Sequence, residues 1–177
     1  DANLLVVGDT VIMIDGGYQS EAEKAVSPYL DSLKISEVHH FFVSHPHRDH
    51  YEGLRVLFAK GVTVKNLYIR VPPKEICDRE IPWGCNMSDI EALISEAKSR
   101  GVNVEEVVKG SKFEFHEGST LEVLHAQDGD LPDDTIDVND LSLIMRFTVG
   151  DTRILFTGDL NQKVGRLLST SEEMKAH

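Results

Sequence analysis

Basic residues are scarce in this sequence: 18 Lys and Arg stand against 30 Asp and Glu, a formal net charge of −12 with the histidines neutral. A chain of that sign repels phosphate polymers at long range, and no basic stripe marks a nucleic-acid footprint. Cysteine is almost absent. Cys77 and Cys85 are the only two, too few for a disulfide framework and too widely spaced for a zinc ribbon. They form either one bridge across an exposed insertion or two free thiols, and free thiols are the expectation. No apolar run approaches the ~18 residues of a membrane helix, and no charged-then-apolar signal segment opens the chain. Asp1 already lies inside what reads as a strand, which leaves room for a removed leader and keeps the compartment open. A G-x-S-x-G elbow is missing, which argues against a covalent serine route. A glycine-rich phosphate loop is missing too, so P-loop nucleotide binding has no support.

What is present suffices for a core. With 41% hydrophobic residues over 177 positions, one domain is the expectation. Ala2 to Val7 and Thr10 to Asp15 read as a hairpin split by Gly8-Asp9. Ser20 opens an amphipathic helix to about Leu33, with Ser20 and Glu23 as a capping box and Pro28 marking a kink or break. Val38 to Ser44 reads as a strand followed by a helix from Glu52 to Lys60, and Thr63 to Val71 as the next strand. Pro72 to Asn86 is a polar, irregular insertion with both cysteines and Trp83, suited to a substrate-facing loop. Met87 to Arg100 is the clearest helix: Ser88 can cap it, and Ile90, Leu93, Ile94 and Ala97 recur at helical spacing. Strands follow at Val104 to Val108, Lys112 to His116, Leu121 to His125, Ser142 to Val149 and Arg153 to Thr157. Gln127 to Asp140 is an acid-rich loop, Asn161 to Leu168 a short closing helix, and Ser169 to His177 shows no apolar period. The order predicts an α/β (α+β) sandwich of two sheets covered by helices, with the site built from loops at one edge.

His45-Pro46-His47-Arg48-Asp49-His50 places four potential metal ligands within six residues at a strand end. Imidazole and carboxylate together suit zinc, manganese or iron. A strand-to-helix turn lets alternate side chains point into one cavity while the next two turn toward a second. The rival reading is a solvated loop that happens to be His-rich, and it leaves the buried-type strand ahead of the motif unexplained. A second signal is Ile154 to Asp159, an apolar strand ending in Thr-Gly-Asp, where glycine permits a sharp turn so that the acid faces inward. Alone, T-G-D is a common turn. Paired with the histidine motif it reads as part of the same site.

The H-x-H-x-D-H pattern at this place resembles the metallo-β-lactamase-fold hydrolases. The resemblance implies an αββα sandwich in which His45 and His47 serve one metal, Asp49 and His50 the other, and Asp159 bridges them. Asp15, in Asp15-Gly16-Gly17, matches the early strand-end acid that holds the metal loop from behind, with a plain turn acid as the rival. Within the superfamily the chain is similar to the hydrolase domain of bacterial competence (DNA-uptake) proteins and to stand-alone phosphorylcholine-esterase-like relatives. Asp1-Ala2 looks like the tail of a G-Q-G-D-A opening, and Asn139-Asp140-Leu141-Ser142-Leu143 resembles an N-x-x-S-L segment. Two departures stand out. Many relatives supply a third histidine to the first metal, for which His125 is the nearby candidate and an ordinary strand-end residue the alternative. The family's late histidine has no recognisable counterpart, since His177 has no strand before it. On this pattern the chain lacks the fold's last strand and helix and its second metal site is incomplete. His39, His40 and His116 lie outside every motif and read as core or surface residues.

The resemblance implies a metal-dependent hydrolase using a metal-bound hydroxide, with one or two zinc ions (manganese or iron also fitting) and Asp49 and Asp159 as the catalytic carboxylates. The substrate expected is a phosphodiester or related ester, either a small molecule or nucleic acid, the latter disfavoured by the charge. The second reading is a degenerate, non-catalytic metal- or ligand-binding domain of the same fold.

Overall fold

Two sheets pack face to face in the computed structural model of the chain, which describes residues 1–80, 84–126, 138–162 and 165–166. The first sheet has the order β1 (Ala2–Val7), β2 (Thr10–Gly16), β3 (Glu37–Phe42), β4 (Thr63–Tyr68) and β5 (Asn103–Glu105). Its first pair is an antiparallel hairpin and the rest is parallel. The second sheet is antiparallel throughout: β6 (Lys112–Glu114), β7 (Thr120–His125), β8 (Ile144–Val149) and β9 (Thr152–Phe156).

Period-two alternation sorts the side chains into two cores. Ile12, Ile14, Phe42 and Tyr68 point to the second sheet, where Leu121, Val123, Met145 and Phe147 meet them. Met13, Phe41 and Leu67 point the other way, onto Leu54, Leu57 and Phe58 of α3 (Arg48–Ala59) and Ile90 and Leu93 of α5 (Met87–Ser99). A sheet covered on both faces carries apolar runs without polar alternation, and β2 is buried along nearly its whole length for that reason.

Local details differ from the sequence expectations. The first helical stretch begins at α1 (Gln19–Glu21) with Tyr18 at its N-cap and no side-chain cap bond, so Ser20 is inside the helix and caps nothing. A wide turn over Ala22–Val26 leads into α2 (Ser27–Ser32). Pro28 falls in the first turn of α2, where its missing N–H is accommodated by the changed hydrogen-bond register, so the chain stays helical through the expected kink. Asn86, not Ser88, caps α5 by accepting from the Asp89 N–H at 3.3 Å. Strands β4, β5 and β6 stop short of their expected C-terminal ends. Within the Pro72 to Asn86 insertion, α4 (Lys74–Cys77) and a 3₁₀ turn over Asp78–Glu80 are ordered. Cys77 and Cys85 are joined by a disulfide with Cα atoms 5.0 Å apart, which corrects the free-thiol expectation. Trp83, most of the Gln127 to Asp140 loop and His177 lie outside the described residues. So does most of the closing helix, of which Gln162, Gly165 and Arg166 are helical.

One close approach positions the rest of the molecule. A Cβ on Gly53 of α3 would sit 1.9 Å from the carbonyl oxygen of Gly16 at the end of β2, and the Gly53 N–H donates to the Gly17 carbonyl at 2.9 Å. Only glycine permits this contact, and it clamps the first half of α3 to the end of β2.

Candidate metal centre

The clamp brings together the ends of β2 and β3 and the start of α3. Asp15 stands at the end of β2 with φ of 63°, a left-handed conformation that costs a non-glycine residue energy. Its carboxylate is buried and collects three donors. Oδ1 accepts from the Ser44 N–H at 2.7 Å, and Oδ2 accepts from the Ser44 hydroxyl at 2.8 Å and from His50 Nδ1 at 2.9 Å. His47 is the N-cap of α3 and Asp49 sits in its first turn, where the helix dipole favours a carboxylate.

These bonds fix where the protons are. In the neutral ring the bond to Asp15 keeps the hydrogen of His50 on Nδ1 and leaves Nε2 its lone pair, and that buried atom has no hydrogen-bond partner. Its nearest acids are Asp49 Oδ2 at 3.4 Å and Asp159 Oδ2 at 3.5 Å. The ring of His45 lies against that of His50, centroids 4.1 Å apart. His45 Nδ1 is 3.2 Å from the Ser44 hydroxyl oxygen, whose proton goes to Asp15, so His45 donates there and its Nε2 is left as an acceptor. That Nε2 lies 3.0 Å from Nδ1 of His47, whose other nitrogen meets Glu80 Oε2 at 2.5 Å. Two imidazole nitrogens this close in a buried site either share a proton or face a cation held between them.

Ligand atoms of His45, His50 and Asp159 all lie within 4.8 Å of one another. His47 flanks that group on the His45 side and Asp49 on the His50 side. His125 ends β7 opposite Ile144 and is not part of the group. Asp159 is half-exposed. Gly158 before it has φ of 53°, and a Cβ there would lie 2.9 Å from the hydroxyls of both Ser142 and Ser44, so the Thr-Gly-Asp turn docks directly on the metal loop. The segment from Asn139 to Leu143 packs on the same loop: Asn139 lies beside His45, and the Leu143 N–H donates to the Ser44 carbonyl at 2.8 Å.

Charge follows from these surroundings. Burial pushes His45 well below the usual imidazole range. Burial acts the same way on His50, but the bond to Asp15 and the carboxylate of Asp49 close by outweigh it and raise its pKa to about 9. Contact with His50 draws Asp49 down to about 2. A proton and a metal compete for the same His50 lone pair, and the acids that hold the one also favour the other.

Glu80 is the residue that sequence reasoning missed. It is 1% exposed, contacts His47, and accepts the Val138 N–H on its other oxygen at 2.5 Å. The only sequence signal was its place between the two cysteines. His39, His40 and His116 have other surroundings: the Val11 N–H donates to His39 Nδ1 at 3.1 Å, His40 lies among aromatic rings, and His116 is exposed.

Residues 10–173 match the model of the family described as beta-lactamase superfamily domain. The chain belongs to this superfamily. Solved members share its fold: native FEZ-1 metallo-beta-lactamase from Legionella gormanii aligns at TM-score 0.58 and 13% identity, covering 89% of this chain and 56% of that one. The metallo-beta-lactamase with a HARLDQ motif from Cronobacter sakazakii aligns at 0.57 and 16%, covering 88% and 54%. Zn(2+)-bound PqqB from Methylobacterium extorquens aligns at 0.53 and 12%, covering 86% and 50%. The chain therefore spans about half the length of these superfamily structures. No curated protein matches it significantly in sequence.

Proposed function

We propose that this chain is a metal-dependent hydrolase domain acting on a phosphodiester or related ester, with His45 and His47 holding one ion, Asp49 and His50 a second, and Asp159 lying between them. One observation carries the reading: ligand atoms of His45, His50 and Asp159 lie within 4.8 Å of one another, with His47 Nδ1 3.0 Å from His45 Nε2 and Asp49 Oδ2 3.4 Å from His50 Nε2. Neutral imidazole and carboxylate at such spacing fit zinc, with manganese or iron as alternatives. Divalent ions bound there would lower the pKa of a coordinated water toward neutrality and offset charge building on the substrate. The chain's own groups do the remaining work. Asp15 holds the His50 ring through its Nδ1–H and keeps Nε2 aimed inward. Asp49 remains ionised at any working pH. Asp159 is reachable from solvent and can orient an attacking water or accept its proton.

The likeness of Asn139 to Leu143 to the competence branch gains support from the packing of that segment on His45 and Ser44. A phosphodiester is the substrate this branch favours, and the excess of acid favours a small one over a polymer. The second reading is a domain of the same fold that binds metal without turnover. Hydrolysis of bis-p-nitrophenyl phosphate by the zinc- or manganese-loaded protein separates the two. Asp159→Asn should abolish turnover and leave the metal-free melting temperature within a few degrees, because such a surface turn tolerates Asn within about 0.5 kcal/mol. Equal turnover in wild type and variant removes Asp159 from the reaction, and bound metal with no turnover of any phosphate or carboxylate ester favours the binding domain.

A further inference from the structure

We propose that Glu80 is a positioning residue for His47: it holds the hydrogen of that imidazole on Nε2, so that Nδ1 is the nitrogen turned toward His45 for binding metal. The proposal rests on the metal reading above for its purpose but on independent geometry for its content. Glu80 is 1% exposed and its two oxygens are both committed. Oε1 takes the backbone N–H of Val138 at 2.5 Å, a donor that cannot change role. Oε2 lies 2.5 Å from His47 Nε2, and a carboxylate oxygen there demands a hydrogen on that nitrogen. In the neutral ring, the form that binds metal, this leaves Nδ1, 3.0 Å from His45 Nε2, as the acceptor. A carboxylate behind a ligating histidine fixes both tautomer and ring orientation. Asp15 stands in the same relation to His50.

The surrounding segment is built to deliver Glu80 there. The Cys77–Cys85 bridge brackets it, and the Gly84 N–H donates to the Glu80 carbonyl at 3.0 Å. Gly84 leaves the room for the contact: a Cβ at that position would come within 2.8 Å of Glu80 Oε2 and 3.1 Å of His47 Nε2. The irregular insertion, read from sequence as a loop facing substrate, thus reaches the back of the metal loop.

Glutamine cannot replace this carboxylate. If its oxygen keeps the Val138 N–H, its NH₂ faces His47 Nε2 and forces the hydrogen onto Nδ1, the nitrogen that should bind metal. Long-range ¹H–¹⁵N NMR of the full metal-free chain reads the tautomer directly, and zinc affinity by chelator competition reads its consequence. In the wild type His47 should be the Nε2–H form. In Glu80→Gln it should shift toward the Nδ1–H form, with zinc affinity lower by about 10- to 100-fold. Gly84→Ala should weaken zinc similarly with the carboxylate still present, and serves if Glu80→Gln does not fold. A wild-type His47 in the Nδ1–H form overturns the proposal without any variant. So does a tautomer or zinc affinity unchanged in Glu80→Gln. A wild type that shows the Nε2–H form yet binds no zinc defeats the metal reading and leaves the assignment of the hydrogen standing.

Discussion

His50 Nδ1 and Asp15 Oδ2 lie 2.9 Å apart although 35 residues separate them in the chain. The pair sits at the junction of β2, β3 and α3, and Ser44 closes it into one buried network with Asp15 as its acceptor. Replacing Asp15 by Asn substitutes a donor at the Oδ2 side, where Ser44 and His50 both donate. His50 would then be driven to carry its hydrogen on Nε2, the nitrogen that faces Asp49 and Asp159. Asp15→Asn should lower zinc affinity by about 10- to 100-fold and stability by about 1–3 kcal/mol. Chelator competition and urea unfolding check the two effects, and unchanged affinity would show that the Asp15 bond does not orient the ligand.

The Gly16–Gly53 contact should be the most sensitive apolar position. Gly53→Ala places a methyl 1.9 Å from the Gly16 oxygen, a backbone atom that cannot swing aside. The helix must move, at a cost of about 3 kcal/mol, and α3 carries Asp49 and His50 with it. A lower urea midpoint together with weakened zinc binding is expected. A variant as stable as the wild type would mean that the clamp does not set the position of α3.

His40 gives a pH dependence independent of the metal site. Its ring lies among Phe42, Tyr68, Phe113 and Phe115, with Nδ1 3.1 Å from the Tyr68 hydroxyl and His39 beside it in sequence. Burial, aided by His39, lowers its pKa from the usual 6.5. The unfolded chain therefore takes up this proton first as pH falls, and the folded state loses stability from about pH 6.5 downward until His40 protonates in place. His40→Phe should remove that contribution. The urea midpoint of the variant minus that of the wild type should be more positive at pH 5.5 than at pH 7.5; an equal value at both would show that His40 titrates normally.

Much of this was legible because the signals were local. The β2 and β3 runs, the α5 period and the six-residue histidine motif each lie in one stretch, and the motif's context of strand then helix is what the structure contains. The residues behind the ligands were harder. Asp15 was reached only through resemblance, because its partners are far along the chain. Glu80 was not reached at all, since it lies 33 residues from His47 in a segment with no period. The Cys77–Cys85 bridge depends on a Cα separation that residue spacing does not determine. The misplaced caps have a similar origin. Ser20 and Ser88 fit cap patterns, but where a helix starts depends on how the chain leaves the preceding strand or loop, and that placed Tyr18 and Asn86 at the N-cap positions.

The central claim is that His45, His47, Asp49, His50 and Asp159 hold a metal, and equilibrium dialysis against buffered zinc followed by elemental analysis tests it most directly. The full chain should retain at least about one zinc, and His50→Ala, which removes the buried acceptor that has no other partner, should retain markedly less while remaining folded by circular dichroism. No retained metal in the wild type, or the same amount in His50→Ala, would contradict the account.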